Sequence, residues 1–212
     1  MAFLERAANP IIRQRAIGAS LIDAGLAEPW EQRAMVDELL CHFDLAGPDE
    51  IYRGQVWYLD AHDHATKLGY DAGISTDHAA GVIAAASPQN EWDRNLDHAR
   101  LILAGERPTY MTGLFYDRAR RIVEGEHPTM VLGGRKVRSF WGNIARPWMP
   151  GPVTCDRHAC APLGIDVRLL ERPGVYQALT AAYRTAGRER DLLPHQMQAT
   201  VWVVWKRLKE TK

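Results

Sequence analysis

Long apolar runs are missing from this 212-residue chain, and none approaches the ~18 residues a membrane-spanning helix needs. The opening Met1-Ala2-Phe3-Leu4-Glu5-Arg6 lacks the charged-then-apolar plan of a secretory signal. Cysteine is scarce. Cys41, Cys155 and Cys160 make no disulfide framework, and no four-cysteine set exists for an iron–sulfur cluster or a zinc ribbon. These absences lead us to expect a reducing, cytoplasmic setting and no membrane partner. Strand-like alternation is nearly absent, as are repeats, low-complexity tracts and long linkers. Net charge is absent as well, but only by cancellation. Residues 1–116 hold 9 basic and 17 acidic groups, and residues 117–212 hold 17 basic and 9 acidic groups. A summed charge is silent about patches, so the basic half raises a nucleic-acid reading beside the bland one of two solvated faces.

What is present is helical periodicity. Apolar residues recur at helical spacing over 11–26, 30–43 and 49–68. Glu31, Asp37 and Glu38 are expected outward on the second of these, and Ile51, Tyr52, Val56, Leu59 and Leu68 inward on the third. Ser75-Thr76-Asp77 is a helix-start signal, and Ala79 to Ala86 is almost wholly small or apolar, which predicts a buried central helix ending at Ser87-Pro88. Further helices are expected from Asn90 or Glu91 to Leu103 and over 113–124, 135–144, 173–187 and 194–209. The class is all-α. The expected division is residues 1–75 with 151–212 as one helical lobe, and 76–150 as a second.

Gly133-Gly134-Arg135-Lys136 lies at a turn that opens a helix. Two glycines allow positive φ and close backbone approach to a ligand. The helix start adds unpaired N–H groups and a positive dipole end, so the segment can seat a phosphate, with Arg135 and Arg138 adding charge. A plain helix–helix turn is the competing reading. Ser87 to Asn95 is polar and aromatic between two helices, with Gln89 and Asn90 as amides for base edges and Trp92 for stacking. Trp92 in a core junction is the alternative. Asp156, after the apolar lead-in Val153-Thr154-Cys155, stands where a carboxylate most often caps a helix. His158 beside it is a catalytic candidate, a cap partner or a core histidine. Cys155 and Cys160 are expected to be buried and inert. Asp60-Ala61-His62-Asp63-His64 invites a metal, but residues two apart on a helix face away from each other. No metal and no cofactor are expected.

The Gly133–Lys136 turn, with Asp156 twenty residues on, resembles the helix-hairpin-helix DNA glycosylase superfamily that includes endonuclease III-like enzymes. Upstream, Gly113-Leu114-Phe115-Tyr116-Asp117-Arg118-Ala119 is similar to that family's Gly-Leu-Tyr-x-x-Lys-Ala helix start, and Ala79 to Asn95 to its buried helix and following loop. The similarity covers roughly residues 75–165. It departs at the hairpin, where Val131-Leu132-Gly133-Gly134 replaces Leu-Pro-Gly-Val-Gly, and it lacks the terminal cluster cysteines. A divergent, phage-type member without the iron–sulfur cluster is implied.

The resemblance implies a two-lobed fold with a central cleft, DNA as partner, and cleavage of the N-glycosidic bond of a flipped base. In that scheme Lys136 is the nucleophile that forms a Schiff base at the sugar. Asp156 stabilises positive charge on the sugar or orients the attacking group. Gly133, Gly134, Arg135, Arg138, Gln89 and Asn90 hold DNA, Gln89 filling the gap left by the base, and Trp92, Asn95 and His158 line the base pocket. Two other readings stay open: a base-modifying transferase on the same fold, and a DNA-binding protein that kept the hairpin and lost the chemistry.

Overall fold

A computed structural model describes residues 29–210 of the chain. The helix expected over 11–26 lies outside them. Among the described residues there is no strand, and the protein is all-α. The α-helices are α1 (Pro29–Asp44), α2 (Pro48–Ala72), α3 (Thr76–Ala86), α4 (Trp92–Leu103), α5 (Gly113–Val123), α6 (Pro128–Val131), α7 (Arg135–Ala145), α8 (Arg157–Cys160), α9 (Val175–Arg188) and α10 (Pro194–Glu210). Two 3-10 turns, Ala161–Leu163 and Val167–Glu171, follow α8. No described helix is long and apolar enough to cross a membrane.

The chain divides into two compact units. One is Tyr58–Thr154, and the other takes the chain through Trp57 together with the part from Cys155 onward. The boundary falls inside α2. Charge does not follow the sequence halves here, because Tyr58–Thr154 carries 11 acidic and 11 basic side chains.

In the Tyr58–Thr154 unit, α3 is the centre, and α4, α5, α6 and α7 pack around it. Ser75 caps its start, accepting the His78 amide at 3.2 Å, and every residue from Ala79 to Ala86 is buried. Small side chains let the neighbours come close: a Cβ on Gly81 would lie 2.6 Å from Pro128 Cγ, so only glycine admits α6 at this distance. Ser87 then donates to the Ala84 carbonyl at 2.9 Å, at the end of the helix before Pro88.

In the other unit α9 packs on α1 and α10, around Met35, Leu39, Leu179, Tyr183 and Met197. Arg207 of α10 grips the buried Glu50 carboxylate, Nε to Oε1 at 2.8 Å and Nη2 to Oε2 at 3.2 Å. A Cβ on Gly54 would stand 2.5 Å from Thr200 Cα and 2.6 Å from Thr200 N, so α2 and α10 approach backbone to backbone there.

Two expectations about helix faces are corrected. Tyr52 and Leu59 are 65% and 41% exposed. The buried stripe of α2 is instead Gly54, Tyr58, Ala61, Ala65 and Gly69. Close approach selects four small residues, and the one large member, Tyr58, donates its hydroxyl to Thr154 Oγ1 at 3.1 Å. Glu38 is not outward but 1% exposed, beside the equally buried His42, whose Nδ1 lies 3.4 Å from its carboxylate. Burial holds that imidazole below its ordinary value.

Candidate functional site

The hairpin belongs to the Tyr58–Thr154 unit. One turn of helix, α6, starts at His127, whose Nδ1 accepts the Thr129 amide at 3.3 Å, and passes through Leu132-Gly133-Gly134 into α7. Gly134 has φ 76° and ψ 146°, a region open almost only to glycine. The N-cap residue of α7 is Gly134 itself, which has no side chain to offer the first turn. A Cβ on Gly133 would lie 2.8 Å from Arg118 Nη2, so the guanidinium of α5 covers that glycine. Arg138 turns back and donates from Nε to the Leu132 carbonyl at 2.7 Å, tying the helix to the turn. Arg135 is exposed and Lys136 half-buried. The neighbouring cations of the basic half are engaged elsewhere: Arg120 with Glu124, Arg121 with Glu126, and Arg146 with Asp77.

The same unit holds a cleft of about 420 Å³ between the Pro88–Asn90 turn, α4 and the Thr109–Phe115 segment. Gln89 and Asn90, both singled out from sequence, line it. Asn90 Nδ2 donates to the Ala86 carbonyl at 2.7 Å, and its distance to His98 Nδ1 is 3.2 Å. A carbonyl only accepts, so the amide nitrogen is fixed there, and His98 Nδ1 must be the acceptor of its second hydrogen. Burial, and next the charge of Arg94, hold the His98 imidazole below its ordinary value and so in the neutral form that this bond requires. Gln89 and Tyr110, on opposite rims, both adopt left-handed φ, 65° and 66°. Arg94 and Phe115 lie in segments that the sequence marks, without a role of their own there, and His98 and Tyr110 are marked by no motif. The spacing of Asn90, Arg94 and His98, four residues apart each time, was the available signal.

Trp92 and Asn95 are not among the cleft's lining residues. The ring of Trp92 meets Phe140 edge-on at 6.4 Å and His64 at 6.1 Å. Asn95 is 1% exposed, and its Oδ1 has no hydrogen-bond partner among the described residues. His62 binds the Ile144 carbonyl through Nδ1 at 2.9 Å. Among the described residues no group of three or more His, Cys, Asp or Glu side chains is placed to hold a metal.

In the other unit Asp156 caps α8: Oδ1 accepts the His158 amide at 2.9 Å and the Ala159 amide at 3.1 Å. His158 Nε2 accepts from Arg157 Nε at 3.2 Å, and its ring stands edge-on to Trp202 at 5.5 Å. Burial pushes the Cys155 thiol up to about 12 and raises Cys160 further, so neither is a thiolate at neutral pH. The Tyr183 hydroxyl donates to the Ala159 carbonyl at 2.9 Å and stiffens this segment from below.

Fold and geometry therefore define an all-helical protein with a glycine hairpin, a capped Asp156 helix and a polar cleft. The chain belongs to a family of unknown function, DUF7178, whose pattern covers residues 23–209. No curated protein and no solved structure matches it.

Proposed function

We propose that this chain is a DNA-binding enzyme of the helix-hairpin-helix glycosylase kind, acting on the N-glycosidic bond of a base in DNA. The observation that carries the reading is a helix start, that of α7, placed directly behind a positive-φ glycine, Gly134, with Arg118 over Gly133 and Arg135 and Lys136 in the first turn. Backbone N–H groups and the positive dipole end seat one phosphate, while the side chains take its neighbours. Lys136 Nζ, having lost a proton, bonds to the sugar C1′ as the bond to the base nitrogen breaks. The electron pair leaves with the base, and a Schiff base forms as the sugar ring opens. By the resemblance, Asp156 offsets the positive charge that develops on the sugar.

Borohydride added to the protein on duplex DNA with an abasic or modified site should reduce that Schiff base to a stable crosslink. Lys136→Met should abolish the crosslink while weakening DNA binding only by the loss of one phosphate contact. A wild-type protein that binds but never traps removes the lyase role. Asp156→Asn is the matching probe, since Asn caps a helix as well as Asp and only the charge is lost. Turnover should vanish with the fold intact.

A second reading has its own support. Oδ1 of Asp156 already accepts two backbone N–H bonds, which is all a structural cap requires. A non-catalytic DNA-binding protein would bind with steep salt dependence, yield no product on any duplex, and be indifferent to Asp156→Asn.

A further inference from the structure

We propose that the cleft beside Asn90 binds a single nucleotide unit, its phosphate on Arg94 and its base against Phe115 and Tyr110, with Asn90 meeting the base edge. The inference deepens the DNA reading of Gln89 and Asn90, but it needs neither Lys136 nor Asp156, so the two fail separately.

Four observations converge on it. The cleft, at about 420 Å³, falls in the ~300–1,000 Å³ range that houses small ligands. Arg94 is exposed on its wall and makes no ion pair with any carboxylate among the described residues. It lies in the first turn of α4, where Asp93 already answers the positive end of the helix. An anionic ligand supplies the counter-charge that the Arg94 guanidinium itself lacks. Asn90 is oriented before any ligand arrives: its nitrogen is committed to Ala86 and His98, which leaves Oδ1 as the acceptor turned to other partners. An acceptor held this way selects a donor edge, such as an exocyclic amine or a ring N–H.

The rim supplies the fourth. Two non-glycine residues, Gln89 and Tyr110, are held in left-handed backbone conformations, and both line the cleft. Such conformations persist where surrounding structure enforces them, and they gather at ligand clamps. Tyr110 is fully exposed, an aromatic ring with no covering in the described structure, and Phe115 provides a second, half-buried ring. Aromatic faces with a neighbouring cation and an oriented amide match a base joined to a phosphate.

A free nucleotide and one within a strand share this chemistry, and the test separates the two sources. Full-length protein is titrated calorimetrically with the four 2′-deoxynucleoside 5′-monophosphates, the matching nucleosides, inorganic phosphate and single-stranded pentanucleotides. At least one monophosphate should bind about tenfold tighter than its nucleoside. Arg94→Gln should erase that difference, and Asn90→Ala should flatten the ranking of the bases. Arg94 is exposed, so Arg94→Gln should melt like the parent, and Tyr110→Gly, which relieves a positive φ, should melt no lower. Binding restricted to pentanucleotides, with the same Arg94 dependence, assigns the site to a strand residue. Absence of binding by every probe up to millimolar concentration, equal binding of inorganic phosphate and nucleotide, or indifference to Arg94→Gln each overturns the proposal. Lys136→Met should leave this binding unchanged, so its outcome is independent of the trapping experiment.

Discussion

The hairpin turn and the cleft rim solve one backbone problem in opposite ways. Both need positive φ. At the turn the residue is Gly134, for which the conformation carries no steric penalty. At the rim the residues are Gln89 and Tyr110, for which it costs on the order of 1–2 kcal/mol each. In the proposed phosphate seat, side chains come from Arg118, Arg135 and Lys136, so one at Gly134 itself adds nothing. In the proposed nucleotide cleft, Gln89 and Tyr110 supply rim side chains that glycine would remove.

The largest expected effect breaks the hairpin side. Gly134→Ala should cost about 2 kcal/mol in chemical denaturation, because φ 76° with ψ 146° excludes a Cβ. It should also displace Arg135 and Lys136 and weaken DNA binding, read by titration at fixed salt. Gly81→Ala is a control elsewhere in the same unit, destabilising through a clash with Pro128 with no positive φ involved.

The hairpin is sharpened next by its salt dependence. Among the described residues four cations, Arg118, Arg135, Lys136 and Arg138, lie beside the Gly133–Gly134 turn and the first turns of α7. If each meets one phosphate, the log–log slope of affinity against salt should be about −3.6. A slope steeper than about −5 would mean that a wider basic face takes part.

The rim should respond the other way from the hairpin. Gln89→Gly should leave stability level or raise it by up to about 1 kcal/mol, relief of strain being partly offset by glycine's freedom in the unfolded chain. Gln89→Val should lower it by about 1 kcal/mol, since a branched Cβ crowds positive φ further. Equal melting temperatures for the two variants would remove the strain argument.

The smallest effect concerns pH. His42 and His98 both have folded values below the ordinary 6.5. Just below that pH the unfolded chain takes up protons that the native imidazoles refuse. Stability should therefore fall as pH drops through about 6.5, and level off below the folded values. Denaturation midpoints between pH 7.5 and 5 would show it. His98→Gln should reduce the slope and, by disturbing the Asn90 bond, loosen the cleft.

The buried central helix was legible because Ala79 to Ala86 leaves no polar face, and a helix without one has to be enclosed. Ser75, Gly134 and Asp156 were legible as helix-start positions because caps and turns are local chemistry, decided within four residues. The inward face of α2 was misread, since period alone favours Tyr52 and Leu59, whereas Thr200 demanded glycine at 54. Glu38 was misread because its partner, His42, turns inward with it.

Sequence by itself therefore determined the all-α class, the order of the helices and the local chemistry of the hairpin and the Asp156 cap. Tertiary structure alone decided which helix faces are buried and how the basic groups pair off. It also decided that Asn90, Arg94, His98, Tyr110 and Phe115 share one cleft. The reason is range. Periodicity and capping act over one or two turns, whereas a cleft is made by segments some 20 residues apart whose meeting depends on how closely α3 lets its neighbours approach.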